Sequence, residues 1–449
     1  MFRLAVKRQI SYIGLLICTL LTALLFSACG EEATPVARPT PNPAGYPVPV
    51  NPKIASLPAT TLKVWFADDY YSKAPIVDLM NQFKQAYPNI SFEVDHYEWS
   101  RMRRKIKEAV DAGTPPDIAH QHAFTFAAQN YAEPLDDLWQ QWGELNKFMP
   151  GALEDVTWNN VKYGVPLDIN TVFLIYNRQM FKDAGLAVPD ASYNYTRLME
   201  DAAKLSAQDG SRMGFAVKPF AWDTYGLIRS NGGELIQEQN GKVTATLNNP
   251  ANAAILQLIS DSFNVQKFSP VPSFTNPKQD PVELFKQGKI AMFFSGPWDL
   301  KEIEDNGPKG LYEQVGTAPM PKGVDGKTNG SVQGGGSLFV PKGSKNREAA
   351  FEFMKWASSP AYQMRLAREM GRYPVLSALY SDTYFTSQPL LQPFLEQLKT
   401  ARPYRLEAYA LADITWEQTI AAIYDGNNAK TTLEDANRAV QIAINTNKT

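Results

Sequence analysis

The stretch Gly164–Asn177, GVPLDINTVFLIYN, decides how the rest of this 449-residue chain can be organised. Its first half carries a polar island around Asp168 and Asn170, and its second half is the apolar and aromatic run Val172–Tyr176. A run so rich in β formers and so short predicts a strand buried on both faces. Asn177 then follows as a helix N-cap. We interpret the stretch as the first crossing between two lobes, with an ordinary internal strand as the alternative.

Predicted strands and helices alternate on both sides of this stretch. Before it, strands at Leu62–Phe66 and Ile90–Val94 are separated by apolar residues at helical spacing. After it, the alternation restarts with a helix at Tyr195–Ser206 and a strand at Met213–Val217. This alternation predicts mostly parallel α/β sheets, in which ligands bind beyond the carboxyl ends of the strands.

The N-terminal segment has the sequence pattern of an export signal. Basic residues precede the apolar run Ile10–Phe26, and small residues precede Cys29. This pattern is typical of a secretory signal in residues 1–28, and it resembles a bacterial lipoprotein signal, in which Cys29 would be lipidated. Residues 29–60 are rich in proline and predict a stiff tether. An N-terminal membrane anchor is the alternative, and both interpretations predict an extracytoplasmic, membrane-tethered body.

Composition and motifs exclude several classes of function. The net charge of −2 argues against a nucleic-acid partner. Both cysteines, Cys18 and Cys29, precede the body, so we expect no disulfide or thiol chemistry there. The run Gly334–Gly336 lacks the Gly-Lys-Ser/Thr end of a phosphate loop, and His120 and His122 lack further metal ligands nearby. We therefore expect no cofactor, no metal site and no catalytic residues.

Several polar and aromatic residues are candidates for ligand contact because they follow predicted strand ends or belong to the polar island. On the N-terminal side these residues are Asp68, Asp69, Glu98, Trp99, His122, Asp168 and Asn170. Carboxylate and amide groups can pair with hydroxyl groups of a polar solute. A pair of these carboxylates could also serve a glycosidase, so a secreted carbohydrate-active enzyme is the alternative from another class.

The motif P-x-D-x-N-T-x-x-x-x-Y-N resembles the first hinge of the family 1 extracellular solute-binding proteins, the maltose-binding-protein-like components of ABC importers. Further matching pieces follow in order: PPDI near Pro115, FSGPW near Trp298, a glycine run before LFVPKGS, and EAAFEFMKWASSP. The resemblance implies a periplasmic-binding-protein-like fold with two discontinuous α/β lobes, a three-segment hinge and a cleft between the lobes. It implies an N-terminal lobe of 61–170 and 319–357, and a C-terminal lobe of 171–318 and 358–449.

The resemblance also implies a function and further site residues. A monomeric receptor would close around a sugar or oligosaccharide and deliver it to permease subunits. The residues expected in its cleft from the C-terminal lobe are Trp222, Tyr225, Trp298 and Trp416. Gly334 and Gly335 are expected there as positions where the backbone approaches the ligand or the facing lobe. Sugar rings lie well on aromatic faces, although core packing is the alternative for every tryptophan, Trp416 in particular. Other solutes, such as a polyol, a metal complex or a glycerol phosphate ester bound by Arg372, are alternatives.

Overall fold

The computed structural model describes residues 47–273 and 275–446. The predicted signal at 1–28, Cys29 and the tether up to residue 46 lie outside the described residues. The chain divides into two units, Met1–Gly45 and Tyr46–Thr449, and the elements below belong to the second. None of the helices that the structure describes combines the length and apolar character needed to cross a bilayer.

The strands are β1 (Thr60–Ala67), β2 (Ile90–Tyr97), β3 (Ile118–Gln121), β4 (Thr157–Trp158), β5 (Val161–Lys162), β6 (Gly164–Thr171), β7 (Phe173–Asn177), β8 (Met213–Ala216), β9 (Ile236–Gln239), β10 (Lys242–Ala245), β11 (Ile290–Ser295), β12 (Val315–Ala318), β13 (Ser331–Phe339) and β14 (Ala401–Pro403).

The α-helices are Pro52–Ala55, Asp68–Tyr71, Ala74–Ala86, Trp99–Asp111, Ala123–Ala128, Asp136–Trp142, Pro150–Asp155, Arg178–Asp183, Tyr195–Leu205, Ala221–Ser230, Pro250–Asn264, Pro281–Lys286, Pro297–Asn306, Arg347–Ala357, Pro360–Met370, Thr383–Thr386, Gln392–Leu398, Ala410–Tyr424 and Ala429–Thr446.

Two sheets organise these elements into two lobes. The first lobe is built on a six-stranded sheet with the order β14-β13-β3-β1-β2, in which β6 also pairs with β13. The second lobe is built on a four-stranded sheet with the order β12-β7-β11-β8. In the first sheet β1 runs parallel to β2 and β3, and in the second β11 runs parallel to β8. The prediction of alternating α/β lobes is confirmed.

The quoted stretch passes directly from one sheet to the other. Strand β6 pairs with β13 in the first sheet, β7 pairs with β11 and β12 in the second, and Val172 alone separates them. Every residue of both strands is buried, as expected of strands that are covered on both faces. The crossing predicted within Gly164–Asn177 is thus present as two consecutive strands.

Two segments pack in a different lobe from the one to which the predicted boundaries assign them. Met320, predicted in the first lobe, packs in the core of the second, and Lys322 pairs with Asn194 there. The helix Pro360–Met370, predicted in the second lobe, buries Tyr362 and Leu366 in the core of the first. Tertiary packing determines which lobe these segments join, and the local periodicity of a sequence does not report it.

The glycine run Gly334–Gly336 lies inside a strand rather than before one. The sequence predicts a strand only from Leu338, but β13 begins at Ser331 and continues through the glycines. The strand can do so because β6 runs antiparallel beside it, with Gly334 opposite Asn170 and Gly336 opposite Asp168. The polar island and the glycine run therefore face each other at the junction of the two lobes.

Candidate ligand-binding cleft

Glycine is required at the floor of the cleft, where β6 and β13 meet. A Cβ atom at Gly334 would lie 2.5 Å from Cζ2 of Trp222 and 2.6 Å from Oδ1 of Asn170. Gly335 has a φ of +127° and lies against the backbone of Asp168, so a side chain there would be both strained and in collision. The glycines let Trp222 from the second lobe approach the polar island of the first.

A series of contacts, which we call the circuit around Asp168, borders this floor and joins the lobes. The Tyr70 hydroxyl donates to Oδ1 of Asp168 at 2.8 Å, and the Arg372 guanidinium lies 5.1 Å from the Tyr70 ring centroid. Arg372 also lies 5.6 Å from the ring centroid of Trp298, whose ring is 6.0 Å from that of Trp222. Four predicted site residues, Asp168, Arg372, Trp298 and Trp222, are therefore brought together.

Asp168 has an unusual electrostatic setting in this circuit. Burial raises the pKa of its carboxyl group to about 6, although Arg372 and the hydrogen bond from Tyr70 act in the opposite direction. The Nδ2 of Asn170 lies 3.4 Å from its second oxygen. Arg372 forms an ion pair with Asp69, so its charge is partly neutralised within the cleft wall.

Several buried polar atoms of the cleft have no hydrogen-bond partner among the described residues. They are Oδ1 of Asn170, Oδ2 of Asp155 and both ring nitrogens of His120. Buried polar atoms are hydrogen-bonded in the great majority of cases, so such a group at one site indicates a place for a polar ligand or water. Burial, with Arg372 and His122 nearby, lowers the pKa of His120 to about 3, so its ring is neutral.

A charged network closes the junction on its other side. His122 lies 2.5 Å from Asp155, measured from Nδ1 to Oδ1, and 4.0 Å from Glu407, measured from Nε2 to Oε2. Arg103 lies 3.2 Å from Glu407 and 3.0 Å from Asp413. Arg103, His122 and Asp155 belong to the first lobe and the other two residues to the second, so the network holds the lobes together.

The carboxylates of this network determine the charge of His122. Burial alone would lower the pKa of the imidazole, but Asp155 and Glu407 outweigh burial and raise it to about 9. Burial also opposes the charge of Arg103, yet Glu407 and Asp413 raise its pKa. Both cations are therefore charged at neutral pH.

The remaining predicted site residues have local roles. The Glu98 carboxylate caps the helix Trp99–Asp111, accepting from the backbone nitrogens of Ser100 at 3.0 Å and Arg101 at 2.9 Å. Asp68 pairs with His96 at 2.6 Å. Trp99 is half-buried, with ring centroids 5.3 Å from both His120 and His122, so it borders the cleft.

Two predicted aromatic contacts are placed elsewhere by the structure. Trp416 is fully buried in the core of the second lobe beside Ile420, so packing on an apolar helix face explains it. Tyr225 is buried and donates to Glu234 at 2.7 Å, away from the circuit around Asp168.

Sequence reasoning missed residues that reach the cleft from distant parts of the chain. Tyr70 directly follows the predicted pair Asp68 and Asp69, so the strand-end rule could have found it. Asp155 and Glu407 carry no comparable local signal, because they meet His122 only through tertiary packing. Among the described residues, no group of three or more His, Cys, Asp or Glu side chains could hold a metal ion.

Residues 66–364 match the family model described as bacterial extracellular solute-binding protein. This chain belongs to that family. A curated relative of this solute-binding protein is the maltotriose-binding protein of Pyrococcus abyssi, 24% identical over 342 residues, which are 75% of this chain and 68% of the relative. The family consists of binding proteins, so the enzyme alternative is set aside.

Solved structures share the fold of this solute-binding protein. One is an ABC-transporter solute-binding protein of Thermotoga lettingae bound to α-D-tagatose, with a TM-score of 0.76 and 22% identity over 86% of this chain and 100% of that one. Another is UgpB of Mycobacterium tuberculosis bound to glycerophosphocholine, with a TM-score of 0.74 and 20% identity over 86% and 99%. The periplasmic-binding-protein-like fold implied by the hinge motif is confirmed.

Proposed function

We propose that this solute-binding protein is the receptor of an ABC importer and binds a sugar or oligosaccharide between its two lobes. The observation that carries the proposal is the circuit around Asp168, where two half-buried indoles face buried polar atoms without partners. Apolar ring faces beside hydroxyl-pairing groups are the combination that carbohydrate requires. The names of the Pyrococcus and Thermotoga relatives add support.

Lobe closure is the proposed mechanism. A ligand that touches Asp168 in the first lobe and Trp298 in the second favours the closed form by its differential affinity for that form. The closed form would then be the one that permease subunits recognise. The protein acts as a monomer in this account and needs neither a metal nor a cofactor.

The test is titration calorimetry of the exported chain against a panel of mono- and oligosaccharides, repeated with Trp298→Ala. We expect at least one sugar to bind, and the variant to bind it at least tenfold more weakly, or about 1.4 kcal/mol. Trp65→Ala is the matched control, since this half-buried indole bonds to Asp95 at 3.1 Å on the first lobe's surface. A panel without any binding, or an unaffected Trp298→Ala, would contradict the proposal.

A glycerol phosphate ester is the second candidate ligand, and Arg372 favours it. Its guanidinium lies in the cleft wall, but the pairing with Asp69 and the nearby Asp168 compete with a phosphate for it. Glycerophosphocholine and glycerol 3-phosphate therefore belong in the same titration. Binding of either in place of all sugars would identify this ligand class.

We also propose a lipid anchor at Cys29 and lobe boundaries that follow the packing. Mass spectrometry of the mature N-terminus should find acylated Cys29, and Cys29→Ser should release the protein from membranes. The second connection between lobes would then lie between Lys322 and β13, and the third after Leu376, which packs in the first core. Limited proteolysis followed by separation of the lobes would test these positions.

A further inference from the structure

An open groove of about 1170 Å³ lies outside the circuit around Asp168. We call it the outer groove, and its lining includes Tyr131, Trp158, Asn160, Glu238, Arg405 and Tyr409. None of the ligand-binding residues predicted from the sequence lines it. Its volume exceeds the range of about 300–1,000 Å³ that is usual for small-molecule sites.

Both lobes contribute to the outer groove. Asn159 and Asn160 form the turn between β4 and β5 with φ angles of 48° and 64°. Trp158 precedes this turn and packs against the hydrophobic cores of both lobes. Glu238 lies on β9 of the second lobe and lines the same groove as that turn. A molecule in the outer groove would therefore contact both lobes and would favour their closure.

A pair of side chains in contact, Arg405 and Phe124, links the lining of the outer groove to that of the inner chamber. Arg405 lines the outer groove, and its guanidinium lies 4.7 Å from the ring centroid of Phe124. Phe124 lines the inner chamber beside His122 and Trp222, where only about 10 Å³ is open. Arg405 also donates to the carbonyl of Thr157 at 3.3 Å.

The chemistry of the lining points to a neutral, hydroxyl-rich ligand. Four carboxamides belong to its polar part, those of Gln129, Asn130, Asn159 and Asn160. Its aromatic part includes Trp158 and Tyr409, whose ring centroids lie 6.2 Å apart. One arginine and one glutamate are the charged side chains of the lining, so their charges offset each other. Amides with aromatic faces suit sugar rings, whereas a phosphate or an acidic ligand would require excess positive charge.

We propose that the outer groove holds the distal rings of an oligosaccharide whose first ring lies in the inner cleft, so that the ligand has three or more sugar units. This inference rests on the proposed sugar-receptor function. Trp158 is the specificity-determining residue of the outer groove, and the Phe124–Arg405 pair is the constriction that the chain of sugars passes.

The test is titration calorimetry of the exported chain with length series of three sugars: maltose to maltohexaose, chitobiose to chitohexaose, and arabinobiose to arabinohexaose. In the series that binds, we expect affinity to rise at least tenfold between the disaccharide and the hexasaccharide. Trp158→Ala should remove that gain and leave disaccharide affinity unchanged, Trp158→Phe should restore most of it, and Trp298→Ala should weaken every length. Trp65→Ala serves as the control.

Amide hydrogen exchange distinguishes ligand contact in the outer groove from a purely structural role of Trp158. The hexasaccharide should slow exchange in residues 157–160 and 405–409, and the disaccharide should not. Equal affinity at all lengths, or a Trp158→Ala effect of equal size on short and long sugars, would overturn the inference while the sugar-receptor function stands. Failure of every sugar to bind would overturn that function and this inference with it.

Discussion

Two arginines bridge the lobes, and their surroundings differ. Arg103 is held by two buried carboxylates, those of Glu407 and Asp413, at distances of 3.2 and 3.0 Å. Arg372 pairs with the exposed Asp69 and lies between two aromatic rings, Tyr70 and Trp298. The Arg103 guanidinium is paired with two buried carboxylates, whereas the Arg372 guanidinium has one exposed carboxylate partner and lies in a neighbourhood with an unpartnered buried atom, Oδ1 of Asn170. The Arg103 side is therefore built to hold the lobes together, and the Arg372 side is the one that we propose for the ligand.

The largest expected effect is that of a substitution in β13, the strand that carries Gly334 and Gly335 at the cleft floor. Gly335→Ala forces a Cβ into the backbone of Asp168 at a φ of +127°, so we expect a loss of about 3 kcal/mol of unfolding free energy and of ligand binding. Gly113→Ala is the control, because its φ is +72° and nothing lies within 4 Å of its added Cβ. Denaturant unfolding measures both variants. Equal losses in the two would show that crowding at Asp168 is unimportant.

Breaking the Arg103 side should loosen the junction. Arg103→Met leaves Glu407 and Asp413 buried without their partner, so we expect a loss of about 3 kcal/mol in stability and a larger radius of gyration in solution scattering. Arg104→Met is the matched neighbour, since Arg104 pairs with Glu108 on the same exposed helix face. It should change neither quantity. An unchanged radius of gyration for Arg103→Met would show that the network does not hold the lobes.

The charge of His122 should make the stability of the junction depend on pH. Its pKa rises from 6.5 to about 9 in the folded protein, so protonation stabilises the fold fully below pH 6.5. That stabilisation, about 3 kcal/mol by the size of the shift, is lost as the pH rises through 9. Unfolding curves of the native protein and His122→Gln should diverge below pH 9. Parallel curves from pH 6 to 10 would contradict this assignment.

The smallest effect distinguishes a helix cap from a ligand contact. The sequence predicts that Glu98 lies in the cleft. In the structure its carboxylate accepts hydrogen bonds from two backbone nitrogens at the start of the helix Trp99–Asp111. Glu98→Ala should therefore cost about 1 kcal/mol of stability and leave ligand affinity unchanged. Glu98→Asp, which keeps a capping carboxylate, should recover part of that stability. A tenfold loss of ligand affinity in Glu98→Ala with unchanged stability would show that Glu98 contacts the ligand.

Local patterns predict much of the fold. The run Val172–Tyr176 is recognisable as a buried strand because its residues are apolar and β-forming throughout. The dipeptide Asn240-Gly241 is a sequence signal for a hairpin, and it forms the turn between β9 and β10, where both residues adopt the positive φ angles that this dipeptide favours. Lobe membership after β12 could not be obtained in this way, because the periodicity of the helix Pro360–Met370 does not reveal which core it joins.

The candidate site was predictable only in part. The polar island in the sequence singles out Asp168, and the family resemblance singles out Trp222 and Trp298, which follow strand ends. Neither signal separates Trp416 from the other indoles, because an indole on a helix serves equally well in a core. Neither signal finds Glu407, because its approach to His122 depends on how the lobes pack.

The central claim is that a sugar lies between the lobes on the Arg372 side. A crystal structure of the exported chain with the tightest sugar from the calorimetric panel tests this most directly. The account predicts a sugar ring on Trp222 or Trp298, with hydroxyl groups bonded to Asp168 and Asn170. A sugar bound away from these four residues, on the surface of one lobe alone, would contradict it.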